Sequence, residues 1–339
     1  MSGTDSAGHL PPGPPARLPA WVEPELATLT RDRFSDPGWI FERKLDGERC
    51  LAFREGSTVR LLTRNKKDIS TNYPELASAL AGQAAIDFIV DGEIVAFEGH
   101  RTSFARLQRR MQEAHPEPDL LRSVRVYFYL FDVMHVGEHD VRGLPLRDRK
   151  TLLRKLVSFD DPLRLTSHRN RDGEEYWRQA CGRGWEGLVA KRADAPYRAG
   201  RSRDWLKFKC ENSQEFVIGG YTDPRGERTG FGALLLGYYQ SDGRLAYAGK
   251  VGTGFDERTL TSLHATLAGL ERTRPPFDHG DPPRPGAHWT EPRLVAQVAF
   301  TEWTGAGQLR HPAFLGLRDD KDPADVVRET ARDETARKR

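Results

Sequence analysis

The stretch Phe41-Glu42-Arg43-Lys44-Leu45-Asp46-Gly47-Glu48-Arg49 constrains this chain more than any other. Trp39, Ile40 and Phe41 lead in as an apolar strand, Asp46-Gly47 is a turn-forming pair, and a returning strand carries Arg49 back toward Lys44. Lysine is a compact ammonium whose pKa falls readily on desolvation, so a partly buried one can act as an amine nucleophile. Alone, the pattern would also suit an ordinary hairpin with an exposed Lys-Asp pair. The downstream sequence argues for more.

At 339 residues the chain is long enough for two domains with separate cores, and 37% hydrophobic with 30% charged residues reads as a soluble protein. No apolar run approaches the ~18–20 residues needed to span a bilayer, and the first residues lack a signal-peptide core. Cys50, Cys181 and Cys210 have no metal-site spacing and cannot all pair, which points to a reducing compartment. A net charge of +3 permits nucleic-acid binding without arguing for it.

Residues 1–18, rich in Pro, Gly, Ser and Ala, are expected to form a disordered arm. Val59 to Arg64 alternates as a strand, and Tyr73 to Leu80 reads as a short helix with proline in its first turn. Asp91-Gly92-Glu93 stands between two apolar β-prone runs, Phe88-Ile89-Val90 and Ile94-Val95-Ala96-Phe97. A carboxylate there needs a partner, which a metal or a ribose hydroxyl would supply. Helices are expected at Ser103–Met111, from Leu146 to near Val157, and at Glu174–Cys181; Val124 to Val136 reads as a central strand. Phe131 within it suits plain core as well as a ligand. Glu186-Gly187-Leu188-Val189-Ala190-Lys191 is a strand with charge at both ends. In Trp205-Leu206-Lys207-Phe208-Lys209 alternation puts both lysines on one face, where a phosphate would relieve their repulsion. A polar hinge follows at Glu211-Asn212-Ser213-Gln214. Beyond it come mostly strands, with a hairpin turn at Gln240-Ser241-Asp242-Gly243, a helix at Glu257–Leu270 and a proline-rich loop. The last cluster is Arg318-Asp319-Asp320-Lys321.

Lys44-Leu45-Asp46-Gly47-Glu48-Arg49 resembles the K-x-D-G-x-R signature of the covalent nucleotidyltransferases: ATP-dependent DNA ligases, RNA ligases and capping enzymes. Arg64-Asn65, Asp91-Gly92-Glu93, Phe131-Asp132, Glu186 to Lys191, Trp205 to Lys209 and Arg318-x-Asp320-Lys321 are similar to the family's other blocks, in its order. The resemblance covers roughly residues 20–325. One departure is Lys66, where the family commonly has glycine.

The resemblance implies an α+β fold: a nucleotidyltransferase domain of ATP-grasp-like antiparallel sheets with helices, then an OB-fold β-barrel. The expected boundaries are 19–212 for the adenylation domain, 213–327 for the barrel and 328–339 for a polar tail. It implies ATP and Mg²⁺ (or Mn²⁺) as cofactors and Lys44 as the nucleophile that forms lysyl-AMP. Glu93 and Glu186 would hold metal. Glu42, Arg49, Arg64, Glu93, Phe131, Lys191, Lys207 and Lys209 would line the nucleotide site, with Phe131 stacked on adenine. Arg318 and Lys321 would orient the departing pyrophosphate.

The R-x-D-K ending and the two-domain layout favour an ATP-dependent DNA ligase that seals 3′-hydroxyl/5′-phosphate breaks, most similar to the bacterial modules that join ends with Ku. Implied partners are nicked or broken duplex DNA, Ku, and separate polymerase and nuclease proteins, since no such domains fit in this length. A monomer in the bacterial cytosol or nucleoid, without a membrane, is expected. The alternatives are an RNA ligase, a GTP-using capping-type enzyme, or a non-catalytic DNA-end-binding module.

Overall fold

Strands rich in β-branched and aromatic residues supply most of the fold, and their alternation decides which side chains meet. The computed structural model describes residues 16–329 apart from Ile86, Arg225 and Glu227. The expected arm therefore lies outside the described residues except for its last three positions, and the tail except for its first two. The chain divides into two units. The first holds the described residues through Thr102 plus Glu113–Phe208; the second holds Ser103–Gln112 and the described residues from Lys209 onward.

In chain order the first elements are β1 (Glu25–Leu29), β2 (Trp39–Arg43), β3 (Glu48–Glu55), β4 (Thr58–Thr63), α1 (Pro74–Ala81), β5 (Asp87–Glu98) and β6 (Arg101–Thr102). Then come α2 (Phe104–Met111), α3 (Pro118–Ser123), β7 (Val126–Val136), β8 (His139–Asp140), α4 (Leu146–Leu156), β9 (Leu163–Leu165) and β10 (His168–Asn170). The series continues with α5 (Gly173–Gly182), β11 (Gly187–Arg192) and β12 (Gly200–Lys209).

Two sheets build the first unit. One has the order β1-β12-β11-β2-β10; the other has β4-β3-β5-β7-β8, with β6 on β5 and β9 on β7. Leu51, Phe53, Leu62, Ile89, Phe131 and Met134 from the second sheet pack with Trp205 from the first, so the sheets face each other across a shared core. The opposite face of the first sheet is closed by α5: Trp39, Phe41, Leu188, Ala190, Leu206 and Phe208 pack with Tyr176 and Ala180.

Asp91-Gly92-Glu93, placed between two β-prone runs in the sequence, lies in the middle of a single strand. Gly92 makes this possible, since a Cβ there would come within 2.6 Å of the Phe128 ring and Tyr129 O.

The second unit contains β13 (Asn212–Thr222), β14 (Leu234–Tyr239), β15 (Leu245–Val251), α6 (Glu257–Ala268), β16 (Glu271–Arg272), β17 (Ala287–Phe300), β18 (Glu302–Trp303), β19 (Leu309–Arg310) and β20 (Ala313–Leu317). The order β15-β14-β13-β17, with β20 also on β17, is that of an OB fold, and α6 enters between its third and fourth strands. Phe314 N–H donates to Thr253 O at 2.9 Å, drawing the last strand toward the end of the third. Asp256 caps α6 by accepting from Thr259 N, and Leu260, Leu263 and Leu267 cover the barrel core. The expected α+β class, ending in an OB barrel, is the observed one, but the expected antiparallel sheets of the first unit are mixed: β1 runs parallel to β12 and β9 parallel to β7.

Cys50 is a buried free thiol. Among the described residues no helix is long and apolar enough to cross a membrane.

Candidate active site

Alternation aims the charged residues into the space between the two sheets of the first unit. In β2, Trp39 and Phe41 turn toward α5, so Ile40 and Glu42 take the inner side. In β11, Leu188 and Ala190 face α5, leaving Val189 and Lys191 inward; in β12 the inward partner of Trp205 is Lys207. From the other sheet, Arg49 shares parity with Leu51 and Phe53, and Asp91 and Glu93 share parity with Ile89. Six of the expected residues thus converge on one cleft: Glu42, Arg49, Glu93, Phe131, Lys191 and Lys207.

Lys44 leaves β2 at the mouth of this cleft. Its backbone N–H donates to Gly187 O at 2.9 Å, which ties the Lys44 loop to the start of β11. Its ammonium then reaches Glu186 Oε2 at 2.5 Å. Gly47 seats the turn against β5, for a Cβ there would lie 2.1 Å from Ile94 O and 3.1 Å from Glu93 Cγ. Burial depresses the Lys44 pKa, but Glu186, Asp46 and Glu93 together outweigh it and hold the ammonium above its usual value.

Deeper in the cleft lies a buried charge network. Glu42 pairs with Lys191 at 2.7 Å and with Lys150, all three nearly inaccessible. Burial raises the Glu42 pKa, but the two ammonium groups hold it below the usual carboxylate range. Lys191 is pushed down to about 8, chiefly by burial, with Lys150 adding to the effect. The Lys191 Nζ stands 4.0 Å from the Phe131 ring centroid and 3.9 Å from that of Trp205. Arg49 joins Asp91 through two 2.5 Å contacts while its guanidinium lies 4.6 Å from the Phe131 centroid. Tyr197 OH also donates to Asp91, at 2.7 Å. Phe131 is therefore buried, yet its ring carries two cations.

Arg64 stands in the turn directly after β4, half-buried. Lys66, which replaces the usual glycine, takes a left-handed φ of 68°, and its N–H donates to Thr63 O at 2.9 Å. The turn thus carries a strained residue.

The two lysines of β12 belong to different units. Lys207 faces the cleft, whereas Lys209 pairs with Glu329 at 2.8 Å and donates to Ser213 O. In the second unit Arg318 makes two 2.8 Å contacts with Asp320 and lies 4.4 Å from the Phe104 centroid of α2. Lys321 meets Glu215 at 3.2 Å.

Sequence reasoning passed over Lys150 and Arg149. Arg149 makes two hydrogen bonds to Asp132, at 2.7 and 2.9 Å, with both groups fully buried. The signal was available: Leu146, Arg149, Lys150 and Leu153 follow i, i+3, i+4, i+7 spacing, so two charges sit on the inner stripe of α4. Among the described residues no group of three His, Cys, Asp or Glu is arranged to hold a metal. Glu93 and Glu186 still suit Mg²⁺, which often takes one or two carboxylates and completes its shell with water and phosphate oxygens. A separate cavity of about 460 Å³, lined by Pro37, Arg147, Arg169, Asn170, Arg171 and Asp172, lies near the opposite end of β2 from Lys44.

Facing β-sheets with a carboxylate-bound lysine between them, followed in the chain by an OB barrel, define a covalent nucleotidyltransferase. Comparison with known proteins narrows the class. Residues 24–209 match the family described as ATP dependent DNA ligase domain, and residues 227–321 match the ATP dependent DNA ligase C terminal region. The multifunctional non-homologous end joining protein LigD of Pseudomonas aeruginosa is 37% identical over 92% of this chain. DNA ligase C1 of Mycolicibacterium smegmatis is 31% identical over 93% of both chains. The solved structure of mycobacterial DNA ligase D complexed with ATP and MES has a TM-score of 0.65 at 35% identity, covering 91% of this chain and 98% of that one. The chain belongs to the ATP-dependent DNA ligase family and is similar to the ligase part of LigD. It spans about 37% of the length of the LigD relatives it matches.

Proposed function

We infer that this protein seals nicks and breaks in duplex DNA, using ATP to adenylate Lys44. The observation that carries this reading is the Lys44 ammonium held 2.5 Å from Glu186 at the mouth of a cleft lined by Glu42, Phe131 and Lys191. In the first step the Lys44 amine forms a bond to the α-phosphorus, the bond to the bridging oxygen breaks, and pyrophosphate leaves. The amine must shed its proton beforehand, and Glu186 stands within hydrogen-bond distance to accept it. AMP then passes to a DNA 5′-phosphate, and a 3′-hydroxyl displaces it. Phosphoryl transfer of this kind is carried mainly by positioning and charge neutralisation.

Glu42 and Phe131 are assigned to the base, Arg49 and Arg64 to ribose or phosphate, and Lys191, Lys207 and Lys209 to the nucleotide, with Lys207 and Lys209 offsetting α-phosphate charge. Arg318 and Lys321 are assigned to pyrophosphate. Glu93 and Glu186 would hold Mg²⁺ or Mn²⁺, which neutralises phosphate charge and lowers the pKa of a nearby ammonium. The boundaries 19–212 and 213–327 remain the proposed domain limits. Work in end joining with Ku, beside separate polymerase and nuclease proteins, is proposed from the LigD relatives, as is a monomer in the bacterial cytosol. No observation favours an RNA ligase, a capping enzyme or a non-catalytic module.

Incubating the protein with ATP and Mg²⁺ should add one AMP, mapped by peptide mass spectrometry to Lys44. Lys44→Ala should carry none and still bind nicked DNA. An adduct on Lys191, Lys207 or Lys209 instead would overturn the assignment.

A further inference from the structure

The inner end of the cleft holds a cation that the phosphate chemistry does not use. Lys150 lies on the inner stripe of α4, where an apolar residue is the rule, and is 2% exposed. Its ammonium pairs with Glu42 of β2 and donates to Phe131 O of β7 at 3.0 Å. One side chain thus fixes a carboxylate in one sheet to the backbone that carries an aromatic ring in the other. Next to it, Arg149 secures Asp132, so the Phe131-Asp132 pair is held from α4 at two consecutive positions. A buried ammonium is a poor packing residue, and removing one partner of such a pair leaves the other charge buried and uncompensated.

The second Glu42 oxygen meets Lys191, whose Nζ stands over the Phe131 ring. An ionised carboxylate offers about four acceptor positions, so two contacts leave Glu42 able to take a donor lying on that ring. Adenine presents a 6-amino donor on its edge. Guanine and hypoxanthine present a 6-oxo acceptor, which a fixed carboxylate repels.

We propose that Lys150 is a positioning residue for nucleobase selection: it fixes the Glu42 carboxylate beside the Phe131 ring, so that a 6-amino purine is accepted and a 6-oxo purine refused. This rests on the reading of the cleft as the nucleotide site. A carboxylate tied only to Lys191 would follow that side chain, and its aim at the base edge would be lost.

The test is lysine adenylation of the full chain with ATP and with inosine triphosphate, reading kcat and KM for each. Wild type, Lys150→Met, Lys150→Gln, Lys150→Arg, Glu42→Gln and the Glu42→Gln/Lys150→Met double variant are compared. Lys150→Met should lower the ATP:ITP ratio of kcat/KM by about tenfold or more, mainly through KM for ATP. Lys150→Arg should restore most of the ratio. The double variant should discriminate no worse than Glu42→Gln, because Lys150 acts through that carboxylate. Lys150→Gln keeps a donor for Phe131 O and removes the charge, so it gives the ratio should Lys150→Met fail to fold. Equal loss with ATP and ITP in a folded Lys150 variant would mean that Lys150 only supports the fold, and the proposal is then wrong. A Glu42→Gln variant with an unchanged ratio would instead overturn the assignment of Glu42 to the base, on which the proposal stands.

Discussion

His168 reports the field inside the cleft wall. It lies on β10 opposite Glu42 in register, and burial, with Lys150 the next largest influence, pushes its pKa down to about 4. The unfolded chain, with an ordinary His pKa near ~6.5, binds more protons than the native state between those two values. Stability should therefore fall as pH drops from about 6.5 to about 4. His168 is partly exposed, so solvent screening reduces the size of the effect. His168→Gln should lose less of its melting temperature across that window than wild type. Parallel melting curves for the two proteins would show that His168 titrates as it does in the unfolded chain. Lys44 has the opposite disposition: neighbouring carboxylates outweigh burial and keep it charged, so the proposed attack requires the proton to be removed first.

At the level of the element, turns and strand parity build the site. The turn after β4 places Lys66 at a left-handed φ, and a non-glycine residue in that region costs about 1–2 kcal/mol. Lys66 recovers part of this by placing its ammonium 5.5 Å from the Trp21 ring centroid. Lys66→Gly should raise stability slightly, by no more than ~1 kcal/mol, which is a few degrees in a domain of this size. Lys66→Val should lower it by more, since a β-branched residue resists positive φ. Thermal melts that rank valine above lysine would contradict the strained-turn account. Much of this layer was legible beforehand: the helix at Ser103–Met111 appears as α2, and that at Glu257–Leu270 as α6. The central strand of Asp91-Gly92-Glu93 was less plain, because Asp-Gly reads locally as a turn and only the close approach of β7 to Gly92 makes it a strand.

For the molecule as a whole, the residues assigned to the proposed chemistry are divided between the two units. Lys44, Glu93 and Glu186 lie in the first, and Arg318 and Lys321 in the second. Within the second unit Arg318 and Lys321 are engaged by Asp320 and Glu215. If their task is to stabilise departing pyrophosphate, they serve lysine adenylation and not sealing, since no pyrophosphate exists once AMP is on the DNA. Removing one charge-stabilising donor typically costs ~10²–10³ in rate. Lys321→Ala should then adenylate poorly with ATP yet seal a chemically pre-adenylated nick at near wild-type rate, whereas Glu93→Ala should damage both steps. Equal losses for Lys321→Ala in the two assays would assign that residue to the fold or to DNA.

The order of charged blocks along the chain, and the residue types they need, were properties of the sequence. A lysine beside a turn, a carboxylate inside a strand and alternating lysines each leave a local pattern. Strand alternation also sets which side of a sheet each charge occupies, so the inward set of Glu42, Lys191 and Lys207 follows once the apolar partners are identified. Pairing was decided elsewhere. Lys44 meets Glu186 across 142 positions, and Arg49 meets Asp91 across 42, because β2 lies against β11 and β3 against β5. No local pattern carries that information, since register between distant strands is set by which apolar faces can be buried together. The same holds for Lys150. The sequence marks it only as a charge on an apolar helix stripe, and the packing of α4 on β7 turns it into the partner of Glu42 and Phe131.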